Sequence, residues 1–174
     1  SFKADWNGNL IWLEPCHGDT YGIAPTKEMV YTVGHAHSCE TIYGFPNMSE
    51  VRRDGSHPLY ARAMAFTNSP DITIRHQGVV DGYQDWSTSG YKSPTIVGWY
   101  PDLEAGKVTR AFQAAYKVDV TDKYVLMVGE FIEADGKVQQ GIVRYPRRAG
   151  QPTLPPEGKA ETLGAKAVAT MSGS

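Results

Sequence analysis

Two short runs concentrate the side chains that could do chemistry. Cys16-His17-Gly18-Asp19 sets a thiol, an imidazole and a carboxylate within four residues. Gly34-His35-Ala36-His37-Ser38-Cys39 adds two more imidazoles and the second cysteine. A cysteine beside a histidine invites a thiolate nucleophile, but neighbours on an extended chain point to opposite faces, so Cys16 and His17 are badly placed to share a proton. His35 and His37 differ, because residues i and i+2 of a strand share a face. With His17 or Asp19 nearby they are the candidate ligands of a zinc ion that keeps one position open for water. The same imidazoles would equally serve as hydrogen-bonding pins in the surrounding turns. No H-E-x-x-H or C-x-x-C spacing accompanies them, so neither a metal nor any other cofactor is expected.

A third group is aromatic. Tyr83, Asp85, Trp86, Tyr91, Trp99 and Tyr100 fall within eighteen residues. Flat rings stack on sugars and anchor protein interfaces, and they also fill space between sheets. These six are the candidate binding residues, with core packing as the alternative. Carboxylates such as Asp71, Asp102, Glu104, Asp119, Glu130 and Glu133 are scattered, and no spacing marks a glycosidase pair. G-x-S-x-G, phosphate-cradling and dinucleotide-binding motifs are missing too, so the expectation is a protein that is not an enzyme.

The elements that must position these residues are strands. The chain has 174 residues, 41% of them hydrophobic and 21% charged, enough for one sizeable core. Eighteen Gly and eleven Pro suit many short elements joined by tight turns. A net charge of −2 offers no field for nucleic acid, and no apolar run is long enough to span a bilayer. The opening Ser1-Phe2-Lys3-Ala4-Asp5 has neither an initiator Met nor a signal segment, which suggests a processed chain or an excerpt. Leu10–Leu13, Met29–Val33, Ile72–Ile74, Thr95–Tyr100 and Tyr124–Val128 read as strands. Between Val108 and Tyr116 apolar residues recur at helical spacing, so a short helix competes there. Cys16 and Cys39 are the only cysteines, each beside a tight turn. A disulfide between them, favoured over two free thiols, would close a loop of about 24 residues and add roughly 3 kcal/mol in the chain-entropy model. It would also place the protein outside a reducing cytosol.

The chain repeats itself. Shifted by 95 residues, Tyr21…Gly34 falls on Tyr116…Gly129, with Thr26 on Thr121, Val30 on Val125 and Val33 on Val128. Ala61–Phe66 and Gln140–Tyr145 follow as matching strands. The shift equals two units of about 47 residues, a propeller-blade length, with Ile72–Ile74 and Thr95–Tyr100 supplying the unit between.

The run YVLMVGEFIEADGKVQQGIVRY at Tyr124–Tyr145 resembles the delta-60-type repeat of secreted bacterial β-propellers. That repeat has a Tyr-Val strand, a Gly-Gly-x-Phe turn, an Asn-Gly hairpin and a Gly-Leu-x-Arg-Leu strand. Here Gly129-Glu130-Phe131 keeps one of the two glycines, and Asp135-Gly136 stands for Asn-Gly, an equivalent type I′ pair. The paired Cys/His runs are similar to those in propeller segments of secreted actinobacterial surface proteins and actinophage tail proteins. The resemblance covers about Leu10 to Tyr145. It implies an all-β fold of propeller-like blades of short antiparallel strands, a partial propeller or a piece of a larger one. Residues 1–145 then form the repeat region, and 146–174 a Pro-rich linker with the start of a following segment. The implied role is a non-catalytic structural or binding module, secreted, on a cell surface or on a virion, serving adhesion or assembly. Its expected partners are other protein chains, further domains of the same parent, or a cell-surface glycan. The rival reading is a secreted metal-dependent hydrolase using His17, His35 and His37.

Overall fold

The computed structural model describes residues 1–48, 60–76 and 88–147. Strands in chain order are β1 (Phe2–Ala4), β2 (Leu10–Leu13), β3 (Thr20–Pro25), β4 (Met29–Ala36), β5 (Ala61–Thr67), β6 (Ile72–Thr73) and β7 (Lys92–Ser93). They continue with β8 (Ile96–Val97), β9 (Leu103–Glu104), β10 (Ala115–Val120), β11 (Tyr124–Gly129), β12 (Glu133–Ala134), β13 (Lys137–Val138) and β14 (Ile142–Pro146). Among the described residues there is no α-helix, only a 3-10 turn at Glu40–Ile42. The fold is all-β, built from several small antiparallel sheets. The short helix that competed as an alternative at Val108–Tyr116 does not form. Arg110 and Phe112 take φ of 59° and 54°, outside the right-handed helical region, and Val108 and Phe112 face solvent.

Two sheets carry the architecture: β3-β4-β5-β8 and β10-β11-β14. Their first two strands are duplicates in register. Gly22 pairs Val33, Ile23 pairs Thr32, Ala24 pairs Tyr31 and Pro25 pairs Val30. Lys117, Val118, Asp119 and Val120 pair Val128, Met127, Leu126 and Val125. Each copy holds one extra residue in its first strand, a bulge at Tyr21 and at Tyr116. The joining turns match as well: Thr26 N donates to Met29 O at 2.6 Å and Thr121 N to Tyr124 O at 2.8 Å. The third strands agree, since Phe66 pairs Val30 and Tyr145 pairs Val125. Both copies need glycine at the end of the second strand for lack of space. A Cβ on Gly34 would sit 2.0 Å from Asp19 O, and one on Gly129 would sit 1.9 Å from Ala114 O.

Among the described residues the unit expected between the copies is divided between two sheets. Ile96–Val97 pairs with the free edge of β5, and Ile72–Thr73 pairs with Lys92–Ser93. An open edge of unpaired amides on β5 is a liability that a nearby extended segment relieves, so Ile96–Val97 completes the first sheet, while Ile72–Thr73 and Lys92–Ser93 form a separate two-stranded one. Among the described residues no sheet closes into a ring.

The sheets stack with unlike faces in contact. One core joins Met29, Tyr31, Val33, Ala63 and Ala65 of the first sheet to Val125, Met127, Val143 and Tyr145 of the second. In the repeat alignment Val125 and Met127 correspond to Val30 and Thr32, and Val143 and Tyr145 to Met64 and Phe66. The faces in contact are therefore non-equivalent, a head-to-tail relation and not a twofold one. Trp99 is wedged edge-on between Tyr31 and Tyr145, 5.6 Å from each ring centre. The opposite face of the first sheet, with Met64 and Phe66, is covered by Ile42, Ile74, Phe45 and the Cys16–Cys39 region, a second core. The outward face of the second sheet presents Leu126, Val128 and Ile142, half-buried and outside both cores.

Two expectations of local chemistry are met. Cys16 and Cys39 are joined in a disulfide, with Cα atoms 4.4 Å apart. Asp135 and Gly136 both take positive φ, 50° and 72°, in the two-residue turn between β12 and β13.

Candidate functional site

The bulges bring the polar side chains together. In the first copy the Tyr21 hydroxyl lies 2.9 Å from His35 Nδ1. In the second, the Tyr116 hydroxyl donates to Glu130 Oε1 at 3.0 Å. His35 and Glu130 are equivalent residues of the repeat, each following its glycine. Their amides donate to Asp19 O and Ala114 O, again equivalent, at 3.1 and 2.7 Å. The repeat thus builds the same tyrosine-to-acceptor pair twice, with imidazole in one copy and carboxylate in the other. Stacking of β3 beside β10 then sets the Tyr21 and Tyr116 rings 5.8 Å apart.

Further groups close round this pair. Asp19 Oδ2 lies 3.8 Å from His35 Nε2 and 3.5 Å from the Tyr21 hydroxyl. The Tyr60 ring lies 5.1 Å from that of His35. Arg62, buried on β5, lies over the Tyr60 ring and reaches Gln113 Oε1 at 3.4 Å. Gln113 also hydrogen-bonds His35. Burial lowers the His35 pKa below the usual imidazole value, against the opposing pull of Asp19 and Gln113. The Tyr21 pKa rises, through burial first and then the charge of Asp19. Partial burial pushes the Glu130 carboxyl upward, but hydrogen bonds from Thr109 and Tyr116 outweigh it and hold the pKa below its ordinary value. At neutral pH the site therefore holds a neutral imidazole, a buried guanidinium and the ionised carboxylate of Glu130.

The residues singled out from sequence are distributed as follows. His17 and His37 flank the disulfide, their backbones paired through His17 N to Ser38 O and His37 N to His17 O, with the rings 6.0 Å apart and edge-on. His35 instead turns toward Tyr21 and Asp19. The three histidines do not bring ligand atoms within 4.8 Å of one another; among the described residues only Glu14, Cys16 and Cys39 do, and the disulfide removes both thiolates. Trp99 belongs to the core, Tyr100 stands edge-on to Phe45, and Tyr91 is exposed. Tyr83, Asp85 and Trp86 lie outside the described residues, as does the segment from 148 onward. Tyr60, Arg62 and Gln113 carried no signal in the sequence. Tyr21 and Tyr116 did, as aligned identities at the head of each copy.

Comparison with protein-family models, curated proteins and solved structures returned no match. The reading of this site rests on its own geometry.

Proposed function

We propose that the chain is a non-catalytic binding module, displayed outside a cell or on a virion, whose binding surface is the end of the sheet stack where Tyr21 and Tyr116 meet. The observation that carries this reading is the duplicated tyrosine pair. Two strand bulges, each pinned by a neighbouring residue, hold two aromatic faces side by side on a rigid frame, which is how a surface recognises flat or amphipathic ligands. Within the group the hydroxyl paired with a base is that of Tyr21, on His35, and it lacks the lowered pKa of an activated nucleophile. The Tyr21 hydroxyl is raised in pKa by burial, and the one imidazole in the group is bonded to it. The disulfide suits an oxidising compartment, and no helix among the described residues is long and apolar enough to cross a membrane.

The kinship with delta-60-type propeller blades belongs to the same proposal. A four-stranded antiparallel sheet and head-to-tail stacking support it. On the outward face of the second sheet, however, Lys117, Asp119 and Arg144 stand where the first sheet has Gly22, Ala24 and Ala65. Charges at those positions fit the end of a stack better than a further blade. We therefore read two blade-like sheets, capped on one side by the disulfide loop and on the other by charge.

Immobilised chain, assayed against acidic and neutral glycans and peptides, tests the function. Retention without turnover, lost in Tyr21→Ala with Tyr116→Ala, is the expected result. Consumption of a substrate together with stoichiometric zinc would establish the hydrolase instead.

A further inference from the structure

Arg62 is 7% exposed and sits on β5 opposite the bulge of β4 between Val33 and Ala36. Its guanidinium has five N–H donors. One, on Nη1, points to Gln113 Oε1 at 3.4 Å, and Cζ lies 4.9 Å from the centre of the Tyr60 ring. Among the described residues no carboxylate lies within ion-pairing distance, although Glu104 acts on it through space. A buried cation that no described carboxylate pairs is costly, and an apolar residue of similar volume would serve packing as well or better.

We propose that Arg62 anchors a site for a single carboxylate, its planar fork pairing both oxygens of a ligand whose body lies against the rings of Tyr21, Tyr60 and Tyr116. The proposal rests on the binding-module reading and names its ligand class. Arginine presents two parallel N–H groups that match a carboxylate, a geometry lysine cannot offer. The Gln113 amide and Tyr21 hydroxyl stand beside it as neutral partners. Charge narrows the ligand further. Glu104 acts on Arg62, and Asp19 and Glu130 bond the neighbouring His35 and Tyr116, so a dianion such as a phosphate monoester meets about twice the repulsion of a monoanion.

The whole chain, with its arginine Nε–Hε signals followed by NMR, is titrated with D-glucuronate, N-acetylglutamate α-amide, glucose and sulfate. The Arg62 signal shifts with a carboxylate probe and not with glucose. A shift with glucuronate alone assigns an acidic sugar, and one with the amino-acid derivative alone assigns a peptide carboxylate. Arg62→Lys weakens binding at least about tenfold by losing the fork. Arg62→Met abolishes it while leaving Tm unchanged or raised, because an uncompensated buried charge has gone. Gln113→Ala provides a second, milder loss should Arg62→Met fail to fold. No shift with either carboxylate, sulfate binding as tight as glucuronate, or unchanged binding in Arg62→Lys overturns the assignment. Tyrosine-dependent retention of another ligand in that event leaves the binding module standing and removes only its carboxylate.

Discussion

The two copies of the repeat share a backbone and differ in what covers them. In residues 20–67 both faces of the sheet are buried, one against the second copy and one beneath the disulfide-bonded loop. In residues 115–146 only one face is buried, and the other carries Lys117, Asp119 and Arg144 with Leu126, Val128 and Ile142 between them. Register, bulge, turn and glycine are conserved between copies because they set the backbone path. The side chains diverge because they answer to different neighbours. The same rule governs the site, where one backbone position holds His35 in the first copy and Glu130 in the second.

The largest test of the shared backbone is at the paired glycines. Gly34→Val and Gly129→Val each force a side chain into a carbonyl oxygen about 2 Å away. Each should cost roughly 3 kcal/mol or more, well beyond an ordinary point substitution. Denaturant melts check this, and a cost below about 1 kcal/mol at either site breaks the equivalence.

The asymmetry of burial predicts a smaller, opposed pair. Met127→Ala removes a fully buried side chain from the shared core and should cost about 2–5 kcal/mol. Leu126→Ala, on the outward face one residue away, should cost about 1 kcal/mol or less. Similar losses at both positions would mean that the outward face is covered after all.

The smallest effect separates the copies by pH. The folded His35 has a pKa below its unfolded value near 6.5, so the unfolded chain takes up a proton that the folded chain resists. Stability from this residue is full above that value and declines as pH falls through it toward the folded pKa. Glu130 is also depressed, relative to 4.5, so its contribution is full above that value and lost only as pH falls below it. Tm against pH should show two limbs. His35→Gln flattens the near-neutral limb, and Glu130→Gln reduces the acid one, to which the depressed Asp5 and Asp71 also contribute. A single limb untouched by His35→Gln would sink the difference assigned to this position.

Much of this frame was legible in the sequence because a repeat constrains two segments at once. The offset of 95 residues aligned Tyr21 with Tyr116 and Gly34 with Gly129, and the strands and bulges follow it. Asp135-Gly136 was readable because a two-residue turn is local chemistry. The unit between the copies was misread, since Ile96–Val97 is drawn to the free edge of β5 by long-range pairing that composition does not encode. The helical spacing around Phe112 was likewise overridden by left-handed backbone at Arg110 and Phe112. In the site, the two tyrosines were visible as repeat identities. Arg62, Tyr60 and Gln113 were not, because Gln113 meets the segment of Tyr60 and Arg62 only when the sheets stack. The aromatic group from Tyr83 to Tyr100 looked unified in sequence, yet Trp99 fills the core while Tyr91 and Tyr100 stand outside it.

The copies stack head to tail and so bring their two tyrosine pairs together. Nuclear Overhauser contacts in the methyl- and aromatic-labelled chain test it directly. Contacts are expected from the Val125, Met127 and Val143 methyls to Tyr31, Val33 and Ala65 of the first sheet, and from the Tyr21 ring to the Tyr116 ring. Contacts from Leu126 and Val128 to Tyr31 in their place, with none between the two tyrosines, would show equivalent faces meeting and contradict it.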